Sequence, residues 1–162
     1  MENSLLIFKE QYRQVKVTHY AVFFGIIVIM AFAVLYNYFE GALKGLGESA
    51  VITLELVLLV YAVGAVYIGD LMFIRRLKIL TARHSIQKKM ELYRSALVFK
   101  LALVESIAAL AGLLLIVSGI YLVLIVPVAL IFILMRNNPT TSRVLSDLPL
   151  SLAEREQLAS LL

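Results

Sequence analysis

The chain contains no cysteine, an absence that removes disulfides, thiolate metal sites and cysteine nucleophiles together. Its only histidines are His19, at one end of an apolar block, and His84, in a basic segment, so no haem or metal site is expected within one subunit. No serine stands in a nucleophile motif, and no glycine loop precedes a helix in phosphate-binding form. We therefore expect no cofactor and lean away from an enzyme. No internal repeat or low-complexity linker divides the 162 residues. Charge is also missing from long stretches: all 15 Lys and Arg residues except Lys44 lie within 1–16, 75–100 and 136–162.

Between those basic segments the chain is strongly apolar. It is 62% hydrophobic, with mean hydropathy +0.93, more apolar surface than a soluble domain of this length can bury. Lipid must cover the rest. The formal charge of +4 does not point to nucleic acid, because the basic residues flank apolar blocks and act as a topology signal.

Four spans are predicted, at about 17–39, 51–74, 96–117 and 120–135. Tyr20, Phe23 and Phe24 at one end of the first, and Tyr36, Tyr38 and Phe39 at the other, form interfacial aromatic belts. The first three spans are long enough for a ~30 Å hydrocarbon core, and the fourth covers about 24 Å. Pro127 in the fourth predicts a kink, and Ser118-Gly119 a minimal turn before it. The basic start followed by an apolar run could be read as a cleaved secretory signal, but the run continues through Val34 and Leu35 into an aromatic belt. We read it as a retained span.

The expected fold is thus an all-α integral membrane protein: four transmembrane helices as two antiparallel hairpins over 1–136, with a basic helical connection and a helical tail, 137–162. By the positive-inside rule both termini and the 75–95 segment are cytoplasmic, and the membrane is expected to be a bacterial inner membrane. Leu77 to Tyr93 reads as basic amphipathic helix, with helices two and three meeting at a turn near 83–87 as the alternative. Arg75, Arg76, Lys78, Arg83, Lys88 and Lys89 are candidate contacts to anionic lipid. In the tail, Asn138-Pro139 opens one short helix and Ser151 with Glu154 forms a capping box for the next. The last helix, with Leu158, Leu161 and Leu162, either docks on a membrane or partner surface or frays.

Any chemistry must rest on polar groups inside the spans. Asp70 and Lys100 lie at matching depth near the inner ends of antiparallel neighbours and form a candidate ion pair. Glu55, about 6 Å from the outer boundary, reads as an interfacial carboxylate. Its depth differs from that of Glu105 by about 12 Å, which rules out a two-carboxylate catalytic pair.

Glu105 stands about 13 Å from the inner end of its span and about 18 Å from the outer end. A carboxyl at that depth is a functional candidate by default. Ala102 before it and Ala108, Ala109 and Gly112 after it lie at helical spacing, a small-residue face suited to close helix approach. Glu105 is therefore expected to face protein, with Tyr61 and Tyr67 of helix two as hydroxyl partners.

The Glu105 stripe loosely resembles the rotor-ring proteolipids of rotary ATPases, a likeness covering only Glu105 and its Ala/Gly neighbours. The basic middle segment and the short second outer turn depart from that family. Four spans with Arg94 and Glu105 resemble the membrane glutathione transferases as faintly, with the wrong spacing for their motif. Neither assigns a family.

The leading expectation is a non-enzymatic structural or partner-binding component, contacting membrane lipids and self-associating or joining a membrane-protein partner through the face around Glu105. The alternative is a proton- or cation-coupled transport element using Glu105. A third, a lipid- or quinone-handling enzyme, has only the polar groups near the inner boundary in its favour.

Overall fold

In a computed structural model, which describes residues 2–43, 47–81 and 84–159, every regular element among the described residues is helical. Three helices are long and apolar enough to cross a membrane: α1 (Glu2–Phe39), α2 (Glu48–Lys78) and α3 (Ile86–Ser118). A 3₁₀ turn, Tyr121–Leu124, leads into α4 (Ile125–Arg136), and the tail forms α5 (Thr141–Asp147) and α6 (Leu152–Ala159).

Local chemistry explains most boundaries. Arg75, Arg76 and Lys78 lie in the last turn of α2, where cations meet the negative end of the helix dipole. The segment beyond does not continue as helix. Ser85 caps α3 by accepting from the Lys88 N–H, so the predicted helix over Leu77–Tyr93 is two helix ends with a break between them. Arg83 falls outside the described residues, as does Lys44. At the far end of α3, Gly119 takes φ +69°, and its N–H closes on the Leu115 carbonyl at 2.8 Å.

Pro127 sits near the start of α4, just after the 3₁₀ turn, and not in mid-helix. It is the third residue of α4, inside the first turn, where a backbone N–H needs no intrahelical acceptor. The tail also starts later than predicted. Thr140, not Asn138, caps α5, its hydroxyl accepting from the Arg143 N–H at 3.4 Å. The Ser151–Glu154 capping box is present: Ser151 N–H donates to Glu154 Oε2 at 2.8 Å, and Glu154 N–H donates to Ser151 Oγ at 3.3 Å.

α3 is the hub. Both α1 and α2 pack along it, with fewer contacts from α4. Gly25 beside Glu105 and Ala33 beside Gly112 set α1 parallel to α3, whereas Gly69 beside Lys100 and Tyr61 beside Ser106 set α2 antiparallel to it. The extensive helix contacts are thus α1–α3 and α2–α3, not the sequence neighbours α1–α2.

At 38 and 33 residues, α1 and α3 are about 57 and 50 Å long, so they exceed the ~30 Å hydrocarbon thickness by about 27 and 20 Å. The surplus forms a collar at the basic end of the bundle. There Phe8 and Tyr12 of α1 and Met90 and Tyr93 of α3 are buried, and α5 turns 80° away from α4 to cover them with Val144 and Leu145. Leu158 of α6 is fully buried in the same core, so α6 docks on its own chain at that residue; Leu161 and Leu162 lie outside the described residues.

Candidate functional site

The small-residue face of α3 is two faces. At 100° per residue, Ala108 and Gly112 turn toward α1 and are buried, while Ala102, Glu105 and Ala109 turn outward and are exposed. At Gly112 the helices touch: a Cβ built there would lie 2.8 Å from Ile29 Cγ2 and 3.1 Å from Met30 Cε. Asn37 ties the same pair together one turn later. Its buried amide donates to the carbonyls of Ala33 at 3.1 Å and Leu115 at 2.9 Å.

Glu105 does not face α2. Its nearest glycine is Gly25 of α1, whose built Cβ would lie 3.6 Å from Oε1, and no hydrogen bond or ion pair reaches the carboxyl among the described residues. The expected tyrosine partners are elsewhere. The Tyr61 hydroxyl pairs with Ser106 Oγ at 2.9 Å, and Tyr67, 64% exposed, lines a cleft between α2 and α4. The reason is rotational: Ser106 is one residue and 100° beyond Glu105, and that step carries it to the α2 side. The result is an outward strip on α3 between α1 and α2, with Ala102 and Ala109 flanking an unpaired carboxyl and the Tyr61–Ser106 pair along one edge.

The expected match between α2 and the Glu105 stripe is replaced by a deeper contact. Ala62, Ala65 and Gly69 are buried, and a Cβ at Gly69 would lie 3.4 Å from Lys100 Cγ. This close approach brings Lys100 Nζ to 2.5 Å from Asp70 Oδ1, with the lysine side chain only 12% exposed and the aspartate 48%. The ammonium also stands 5.7 Å from the Phe73 ring centroid, an apolar setting that makes its counter-charge matter.

The basic collar sorts the candidate lipid contacts. Arg75, Lys78 and Lys88 are exposed. Arg76 turns inward, donating to Ser95 Oγ at 3.0 Å and lying over the Phe99 ring. Lys89 meets no headgroup: it is fully buried and donates to both carboxylate oxygens of Glu154, at 3.2 and 3.1 Å. Sequence reasoning missed this bond because 65 residues separate the partners, though a capping-box Glu beside a buried α3 face was the available signal. Tyr12 adds a second tie, its hydroxyl donating to the Pro139 carbonyl at 3.3 Å. His19, 2% exposed and with no hydrogen-bond partner for Nδ1 among the described residues, was also unforeseen as a core residue.

Among the described residues no cluster of three or more His, Cys, Asp or Glu side chains is placed to hold a metal. No protein-family model, curated protein or solved structure matches the chain.

Proposed function

We propose that this chain is a non-enzymatic, multi-pass membrane component that associates with a second copy, or with a partner membrane protein, through the outward strip around Glu105. One observation carries the reading: a carboxyl near the middle of the apolar part of α3 is exposed beside Gly25 of α1, with no hydrogen-bond or ion-pair partner among the described residues. Such a group is costly against hydrocarbon and is relieved by a donor from another helix. Ala102 and Ala109, both small and exposed, leave room for that helix to approach closely.

In this reading α4, with its preceding turn, is the fourth span, and α1 to α4 alternate in direction. The basic ends and the tail then share one side, which the positive-inside rule makes the cytoplasm, in a bacterial inner membrane. Association is tested by cross-linking in native membranes and by Förster transfer between labelled copies in liposomes. Parent protein should associate, and Ala102→Leu/Ala109→Leu should reduce association at least tenfold while leaving the bundle folded, because both sites are exposed. Equal transfer in the double variant would refute the reading.

The same free carboxyl supports a second reading, proton- or cation-coupled transport through Glu105. Glu105→Gln should then abolish ion flux in proteoliposomes without loss of assembly, and unchanged flux would exclude it.

A further inference from the structure

A cavity of about 530 Å³ opens at the basic end between the last turns of α2 and the α5–α6 connection. One wall is apolar: Phe73, Ile74 and Leu77 from α2, with Leu148 and Leu150 opposite. Its rim carries two cations from distant parts of the chain, Lys78 at the end of α2 and Arg155 of α6. Both are exposed, and neither is ion-paired among the described residues. The cavity also contains the Asp147 carboxyl. Burial raises its pKa, and the nearby Arg143 and Lys100 cations offset only part of that rise.

The position of this cavity gives it a meaning. Ile74 marks the end of the second apolar stretch, and Lys78 lies one turn, about 6 Å, further along the axis. On the α2 side the cavity therefore runs from the end of the apolar stretch to the first cation beyond it, with Leu80 adding an apolar contact past Lys78. A free phosphate ion has no use for the apolar wall; a membrane-bound anion with acyl chains uses both halves.

We propose that this cavity is a binding site for the phosphate headgroup of an anionic phospholipid, held by Lys78 and Arg155, with the first acyl carbons against Phe73, Ile74 and Leu150. Because Arg155 belongs to the helix that the Lys89–Glu154 bond fastens to α3, an occupied site favours the docked tail, and a docked tail completes the site. The inference rests on the membrane placement of α1–α3 and is independent of association at Glu105.

The test uses the full chain in nanodiscs of phosphatidylcholine with increasing phosphatidylglycerol, reading retained lipid by native mass spectrometry and α6 protection by hydrogen exchange. Phosphatidylglycerol should be retained preferentially and should slow exchange in α6. Lys78→Gln/Arg155→Gln should weaken that preference about ten- to thirtyfold, from two lost surface cations. Asp147→Asn, which removes the one negative group in the cavity, should strengthen it. Inorganic phosphate added to phosphatidylcholine discs should change neither readout; if it protects α6 as well as the lipid does, the site is a free-anion site and the proposal fails. Unchanged lipid preference in the double variant also overturns it. Flotation of each variant with vesicles separates these outcomes from a failure of membrane insertion, which would remove the protein from the floating fraction altogether.

Discussion

Replacing Glu154 with Gln should release the tail from the bundle, and the asymmetry between the two partners of its ion pair makes the reasoning exposed to refutation. Lys89 is fully buried, whereas the Glu154 side chain keeps 22% of its exposure. Gln at 154 preserves the capping box with Ser151, so the substitution isolates the charge. The Lys89 ammonium would be left in the collar with one weak acceptor. Breaking a buried pair costs about 3–5 kcal/mol, and the partial exposure of Glu154 and the retained amide oxygen place this case near 2–3 kcal/mol. That shift corresponds to an opening of α6 about 30- to 160-fold more frequent.

Lys89→Met, by contrast, removes the buried charge itself and leaves a carboxylate that still touches water and Ser151, so its cost should stay below about 1 kcal/mol. Combining Lys89→Met with Glu154→Gln should therefore recover most of the protection lost in Glu154→Gln alone. Hydrogen exchange at the α6 amides reads all three variants. Exchange in Glu154→Gln within threefold of the parent, or Lys89→Met as disruptive as Glu154→Gln, would refute the account.

The pH dependence has a determined sign. Burial works to raise the Glu154 pKa, but the Ser151 N–H and the Lys89 ammonium outweigh it and the net shift is downward. A carboxyl lowered in the docked state contributes its stabilisation in full above its undocked pKa and loses it as pH falls through the docked value. Tail docking should thus be constant at neutral pH and weaken only in acid, below the ordinary glutamate range.

Two other substitutions test the bundle itself. Gly112→Val would press a branched side chain into Ile29 and Met30, already 2.8 and 3.1 Å from a built Cβ, and should cost about 1–3 kcal/mol, seen as a lower melting temperature in detergent. Asp70→Asn removes the counter-charge of a lysine that is 12% exposed; with Asp70 itself half exposed, about 1–2 kcal/mol is expected. Lys100→Met in the same chain should restore most of that loss, and failure to restore it would show that the pair is not what holds α2 to α3 at this depth.

Much of the architecture was legible in the chain because it depends on local physics. Hydropathy over windows of about twenty residues marks α1, α2 and α3, and Gly119 and the Ser151–Glu154 box mark ends by the backbone chemistry they allow. The proximity of Asp70 and Lys100 was legible for a related reason, since equal depth on antiparallel helices is a matter of counting 1.5 Å steps. Pro127 misled because a proline's effect depends on its distance from the helix start, and the preceding 3₁₀ turn shortened that distance to three residues.

Rotation about the helix axes was not legible. The small-residue stripe permits close approach on any side of α3, and only the simultaneous packing of α1, α2 and the tail decides that Gly112 meets Ile29, that Ser106 takes the Tyr61 hydroxyl, and that Glu105 is left facing out. The 65-residue reach from Lys89 to Glu154 is of the same kind. The sequence by itself determined which segments are apolar enough to span a membrane and at what depth their charges lie, because each depends on neighbours within a few turns. The tertiary structure alone decided which charges found partners, because a 100° turn per residue makes pairing depend on where every other helix comes to rest.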